Sequence, residues 1–75
     1  MPHYNLTFTE ALELLRNNSA WVQGDNFLPS AVLTNVAGAI KLKDFKANTL
    51  GNTPLTVGMM NQKYRELHFE TELDY

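Results

Sequence analysis

Leu6-Thr7-Phe8-Thr9-Glu10-Ala11-Leu12-Glu13-Leu14-Leu15-Arg16-Asn17-Asn18 carries a complete helix specification. Thr7 suits an N-cap, and Glu10 three residues later closes a capping box. Phe8, Ala11, Leu12 and Leu15 follow the i, i+3, i+4, i+7 spacing of one apolar face. Asn17-Asn18 tolerates the left-handed backbone on which helices often stop. The spacing predicts a helix over about Phe8 to Asn17, with Phe8, Leu12 and Leu15 buried against a sheet.

Outward from that helix the chain reads as strands. Ala20-Trp21-Val22 is short and apolar, and Gly24-Asp25-Asn26 breaks it with turn residues. Phe27-Leu28 and, past Pro29, Ala31-Val32-Leu33-Thr34 form a second extended segment. Pro29 belongs at an edge or a strand start because it cannot donate to a ladder. Val36-Ala37-Gly38 reads as a hairpin connection, with Gly38 free to take a positive φ. Ala39-Ile40-Lys41-Leu42-Lys43 alternates, placing Ile40 and Leu42 on one face and the lysines on the other.

Beyond it, Asp44 to Thr53 is polar and turn-rich, and reads as a mobile loop. Leu55 to Met60 is ambiguous. Thr53-Pro54 suits a helix start with Val57, Met60, Tyr64 and Leu67 on one face, whereas Gly58, Thr56 and Val57 weaken a helix. A strand over Leu55–Met60, then a helical turn from Asn61 to Glu66, is the expectation. Leu67, Phe69, Thr71 and Leu73 alternate with His68, Glu70 and Glu72, predicting a closing strand with an acidic face. The fold class expected is α+β: one N-terminal helix packed on an antiparallel sheet of about four strands, in a single domain over residues 1–75.

Composition bounds the rest. At 75 residues without cysteine, the chain cannot use disulfides or thiolate metal sites to reinforce a small core. Its two histidines, His3 and His68, are too few and too far apart for a zinc site. Burial between copies is the remaining common route to stability, so a homo-oligomer is expected, a dimer or tetramer. Six basic residues against eight acidic ones, net −2, argue against a general nucleic-acid binder, which needs a basic stripe. Met1-Pro2-His3-Tyr4 lacks the features of a signal peptide, and no apolar run reaches the roughly twenty residues of a membrane span. A cytoplasmic protein is expected.

Candidate ligand groups are few. Lys41 and Lys43 share a strand face and suit a phosphate pair, and the same spacing describes the solvated side of a half-buried strand. Trp21 suits base stacking or a place in the core. Gln23, Gly24, Asp25 and Asn26 lie between Trp21 and Phe27, where amides beside aromatics suit a nucleobase edge, although a plain β-turn explains them equally well. Met59, Met60 and Tyr64 read as packing residues. No nucleophile sits beside a base and an orienting acid, carboxylates are not paired in an apolar setting, and a phosphate-cradling glycine loop is missing. The chain therefore reads as a non-enzyme.

Phe8-Thr9-Glu10-Ala11-Leu12-Glu13-Leu14-Leu15 resembles the Phe-x-Glu-Ala-Leu-x-x-Leu helix that opens a family of small phage proteins, the Thoeris anti-defence sponges of the second type. In that family a short break and a strand with Val-x-Arg follow, and a tryptophan comes a few residues on. Here Asn17-Asn18 falls at the break, Trp21 at the valine position and Gln23 at the arginine position. Phe27, one residue late, falls at the tryptophan position. His68-Phe69-Glu70 takes the place of the family's C-terminal Asp-Trp-Glu.

The close match covers residues 8 to 15. The resemblance implies an oligomeric protein that sequesters a nucleotide second messenger, a cyclic nucleotide or a cyclic ADP-ribose-type ligand, without cleaving it and without a cofactor. It also implies polar contacts from Gln23 and stacking by Phe27, with Asn26 and Trp21 as neighbours. Lys41 and Lys43 are the phosphate candidates. A protein that inhibits or adapts a host protein by contact, through an exposed strand edge or the Met59-Met60-Tyr64 patch, is the competing expectation. A minor structural component is a third.

Overall fold

Thr7 opens helix α1 (Phe8–Arg16) as a capping box requires. Its hydroxyl accepts from the Glu10 amide at 3.2 Å, and the Glu10 carboxylate accepts from the Thr7 amide at 2.9 Å. In the computed structural model, which describes residues 3–17, 21–53, 56–73 and 75, α1 is followed by a five-stranded antiparallel sheet and a second short helix. Ala11 and Leu15 are the fully buried residues of α1, with Phe8 and Leu14 packed beside them. Leu12, expected in the core, is only half-buried, so the apolar face is turned towards Ala11 and Leu15. Asn17 ends the helix at φ −95°, outside the left-handed region, and Asn18 lies outside the described residues.

The strands are β1 (Trp21–Gly24), β2 (Ala31–Val36), β3 (Ala39–Asp44), β4 (Thr49–Asn52) and β5 (Tyr64–Leu67), in the order β4-β3-β2-β1-β5. Ala37 and Gly38, at φ 53° and 87°, make the tight turn between β2 and β3. Both angles are positive, the geometry that matches the twist of paired strands. Phe27 and Leu28 are not part of a strand. The Phe27 amide bonds Gly24 and the Ala31 amide bonds Leu28, so two successive turns carry the chain from β1 to β2.

The sheet has one strand more than expected because the supposed loop after Asp44 folds back as β4. The Asp44 carboxylate accepts from the Lys46 and Ala47 amides, and Asn48 takes φ 54°, which closes the turn. Residues 57–67 also differ from the expected strand and helical turn. Val57–Asn61 is a helix, α2, capped by the Thr56 hydroxyl on the Met59 amide, and Tyr64–Leu67 is strand rather than helical turn. Pro54 and Leu55 lie outside the described residues.

The closing strand ends at Leu67. Glu70–Glu72 is a 3₁₀ turn, anchored by the Glu72 carboxylate on the His68 and Phe69 amides, and Phe69 points out to solvent.

Alternation gives the sheet two covered regions. On one face, α1 packs on β5, β1 and β2, over Val22, Leu33 and Tyr64. On the other, Leu73 closes over Val32 and Leu67, with Trp21 and Phe45 beside them. Burying a large apolar side chain contributes roughly 1.5–3 kcal/mol, so Leu15, Leu33, Tyr64 and Leu67 are the main anchors. Both layers sit over the β5–β1–β2 half. Among the described residues, no helix is long and apolar enough to cross a membrane.

Candidate functional site

The uncovered half of the sheet, β3 and β4, presents a different surface on each side. On the helix side an apolar groove of about 390 Å³ is floored by Ala31, Leu42 and Gly51. Phe27 and Leu28 from the β1–β2 connection and Met59 from α2 form its walls. α1 packs mainly on β5, β1 and β2, which leaves the groove on this part of the sheet to be walled by the β1–β2 connection and α2. Asp44 lies at its polar end, its carboxyl held below the usual range by the Ala47 amide and then by the Ser30 hydroxyl, 2.8 Å away.

On the opposite side the alternation of β3 aligns Lys41, Lys43 and, just past the strand, Phe45. Lys43 Nζ lies 4.7 Å from the centre of the Phe45 ring, within cation–π range. Lys41 Nζ donates to Asn52 Oδ1 at 2.7 Å across the β3–β4 ladder. Trp21 meets Phe45 edge-on with centroids 5.0 Å apart, so Trp21, Phe45 and Lys43 form one contiguous array. A shallow depression bounded by Thr34, Val36, Lys43, Asn48 and Leu50 lies beside it.

The six residues anticipated as ligand contacts therefore do not converge on one place. Trp21, Lys41 and Lys43 share a face. Gln23 is on that face too but is committed to the fold. Only 2% exposed, it accepts at Oε1 from Arg65 Nε and an Arg65 terminal nitrogen at 3.0 and 2.7 Å, and from the Tyr4 hydroxyl at 3.3 Å. Its amide nitrogen donates to the Pro29 and Ala31 carbonyls, each at 3.1 Å.

Phe27 lies on the helix side, edge-on to Tyr64 with centroids 5.9 Å apart, and lines the groove. Asn26 is in the exposed turn, where its backbone amide donates to Gln62 Oε1 at 2.8 Å. The Met59-Met60-Tyr64 patch is divided as well: Met59 and Tyr64 are buried and Met60 is exposed.

Sequence reading missed Phe45, Asn52 and Arg65. Phe45 was legible, since it continues the Lys41, Lys43 alternation. Arg65 was hidden by the misplaced last strand. It lies against Gln23, the Glu72 carbonyl at 3.2 Å and the face of Tyr4, 5.4 Å from the ring centre. The Tyr64 hydroxyl donates to the Met59 carbonyl at 2.6 Å, and burial is the main cause of its raised pKa. Among the described residues, no group of three or more His, Cys, Asp or Glu gathers as metal ligands. No family model, curated protein or solved structure matches this chain.

Proposed function

We propose that this chain is a binding protein that sequesters a nucleotide second messenger without cleaving it, in the cytoplasm of the cell in which it acts. The observation that carries the reading is the convergence of Trp21, Phe45, Lys43 and Lys41 on one sheet face. Aromatic rings beside two cations suit a base and its phosphates. The helix at residues 8–15 supports it through the resemblance to sequestering proteins. The contact set differs from the one the sequence suggested: Gln23 holds Arg65 and Phe27 faces the groove, so neither belongs to it.

Calorimetry against cyclic dinucleotides, cyclic trinucleotides and cyclic ADP-ribose isomers tests the proposal directly. A ligand at a hundred times its dissociation constant stabilises the fold by roughly 2.7 kcal/mol. It should be recovered intact after the protein is denatured. If none binds more tightly than about 100 μM, roughly 5.5 kcal/mol, sequestration is excluded. The second reading, inhibition or adaptation of a host protein by contact, then takes its place. The groove between Leu28 and Met59 favours that reading, because an exposed apolar trough suits a protein side chain.

A further inference from the structure

We infer that two copies of this chain pair edge to edge through β4, forming one continuous antiparallel sheet in which Lys41 and Lys43 of both copies share a face. This deepens the proposed function by bringing a second pair of lysines to its anion-binding surface, and it rests on that reading only where the ligand is concerned.

The interface rests on the edges. Among the described residues, β4 pairs on one side only, with β3. Thr49-Leu50-Gly51-Asn52 has neither charge nor proline, the features that usually keep an exposed edge from pairing. The other edge is guarded. Leu6 exchanges backbone hydrogen bonds of 3.0 and 2.8 Å with Tyr64, and Arg65 and Glu66 place charges along β5. One open edge closes as a twofold pair, whereas two would propagate a fibre, and an antiparallel edge is complementary to itself.

Apolar surface flanks the open edge. Leu50 is 54% exposed on β4, and Leu28 is 67% exposed at the rim of the groove. A stable interface takes about 800 Å² from each partner, of the 4869 Å² this chain exposes. Four strand residues alone fall short of that area, so the groove beside them must be covered too. The size of the chain favours a second copy over an unrelated strand, because a small core without disulfides gains most from burial between copies.

The lysines bear on this junction. Three strand spacings, about 14 Å, separate the two β3 backbones, and Lys41 already reaches across to Asn52 on β4. A polyanion spanning the junction would meet both pairs.

Light scattering at tens of micromolar, on the wild type and on Leu50→Lys, tests the interface. Circular dichroism confirms that the variant is folded. Twice the chain mass for the wild type and a single mass for the variant are expected. A monomeric wild type, or a folded Leu50→Lys that stays dimeric, overturns the proposal. Hydrogen exchange on the wild type gives a test independent of any variant: the β4 amides should lose protection on dilution, and unchanged protection overturns the pairing. Pyrophosphate then probes the shared face. It should bind the wild type at least tenfold more tightly than Leu50→Lys, although the variant carries an added cation, and equal binding overturns the shared anion site. The mass measurement involves no ligand, so the dimer and the nucleotide reading fail separately.

Discussion

Arg65 places two nitrogens, 3.0 and 2.7 Å away, on the single oxygen Oε1 of Gln23, a residue 42 positions earlier in the chain. The two are directly opposed on β1 and β5, so this contact joins the sheet's last strand to its first. Gln23 also donates to Pro29 and Ala31, and thereby fixes the turn leading into β2. One amide side chain thus ties three segments of the fold together. It is neutral, so replacing it with an apolar residue removes the hydrogen bonds without changing the net charge, which makes their contribution measurable.

Gln23→Leu removes the acceptor of two Arg65 hydrogen bonds, leaving that guanidinium only the Glu72 carbonyl, and removes the side-chain donor to the Pro29 and Ala31 carbonyls. An unsatisfied buried group costs about 1–3 kcal/mol. Urea unfolding should show a loss in that range, and a change below about half a kcal/mol, typical of surface positions, would contradict the network.

Leu15→Ala should cost about 2–5 kcal/mol, as truncation of a buried leucine does. Leu12→Ala should cost clearly less, because Leu12 is only half-buried. Equal losses in chemical denaturation would mean that α1 is rotated from the orientation described.

Tyr64→Phe removes the hydroxyl that donates to the Met59 carbonyl and accepts from the Gln62 amide, at 2.6 and 3.3 Å. A loss of about 1–3 kcal/mol is expected, and amide exchange in α2 should quicken. Unaltered exchange there would show that α2 is held in place by other contacts.

Glu10, Asp44 and Glu72 each have a carboxyl held below its ordinary pKa by backbone amides, those of Thr7, Ala47 and His68 first among the causes. A carboxyl with a lowered folded-state pKa stabilises the fold above its unfolded value, and that stabilisation is lost as pH falls through the folded one. Stability should therefore decline as pH drops below about 4. Asp44→Asn should flatten the decline, and a variant whose acid profile matches that of the wild type would show that Asp44 contributes none of it.

Two elements were legible residue by residue. The capping box of Thr7 and Glu10 and the Ala37-Gly38 turn are closed by bonds within a few residues, so local composition suffices to specify them. Lys41 and Lys43 could be placed on one face for the same reason, since alternation along a strand is a local property. The stretch from Thr53 to Leu73 carries conflicting local signals: its last residues alternate as a strand would, yet Glu70–Glu72 is a 3₁₀ turn. Gly58 and Val57 weaken a helix there, yet Thr56 caps one, and the balance is struck by contacts from elsewhere.

Tyr64 pairs with Gly24 and bridges to Leu6, which makes β5 a strand. Gln62, the C-cap of α2, lies so close to Gly24 that a Cβ there would overlap its side-chain amide. The Glu72 carboxylate then takes the two amides that a continued strand would have offered to a neighbour. The sequence by itself determined those segments whose hydrogen bonds close nearby. Partners 36 and 42 residues away decided the last third of the chain, and with it the roles of Gln23 and Phe27, because a local alternation such as that over Leu67 to Leu73 does not report energies that depend on distant neighbours.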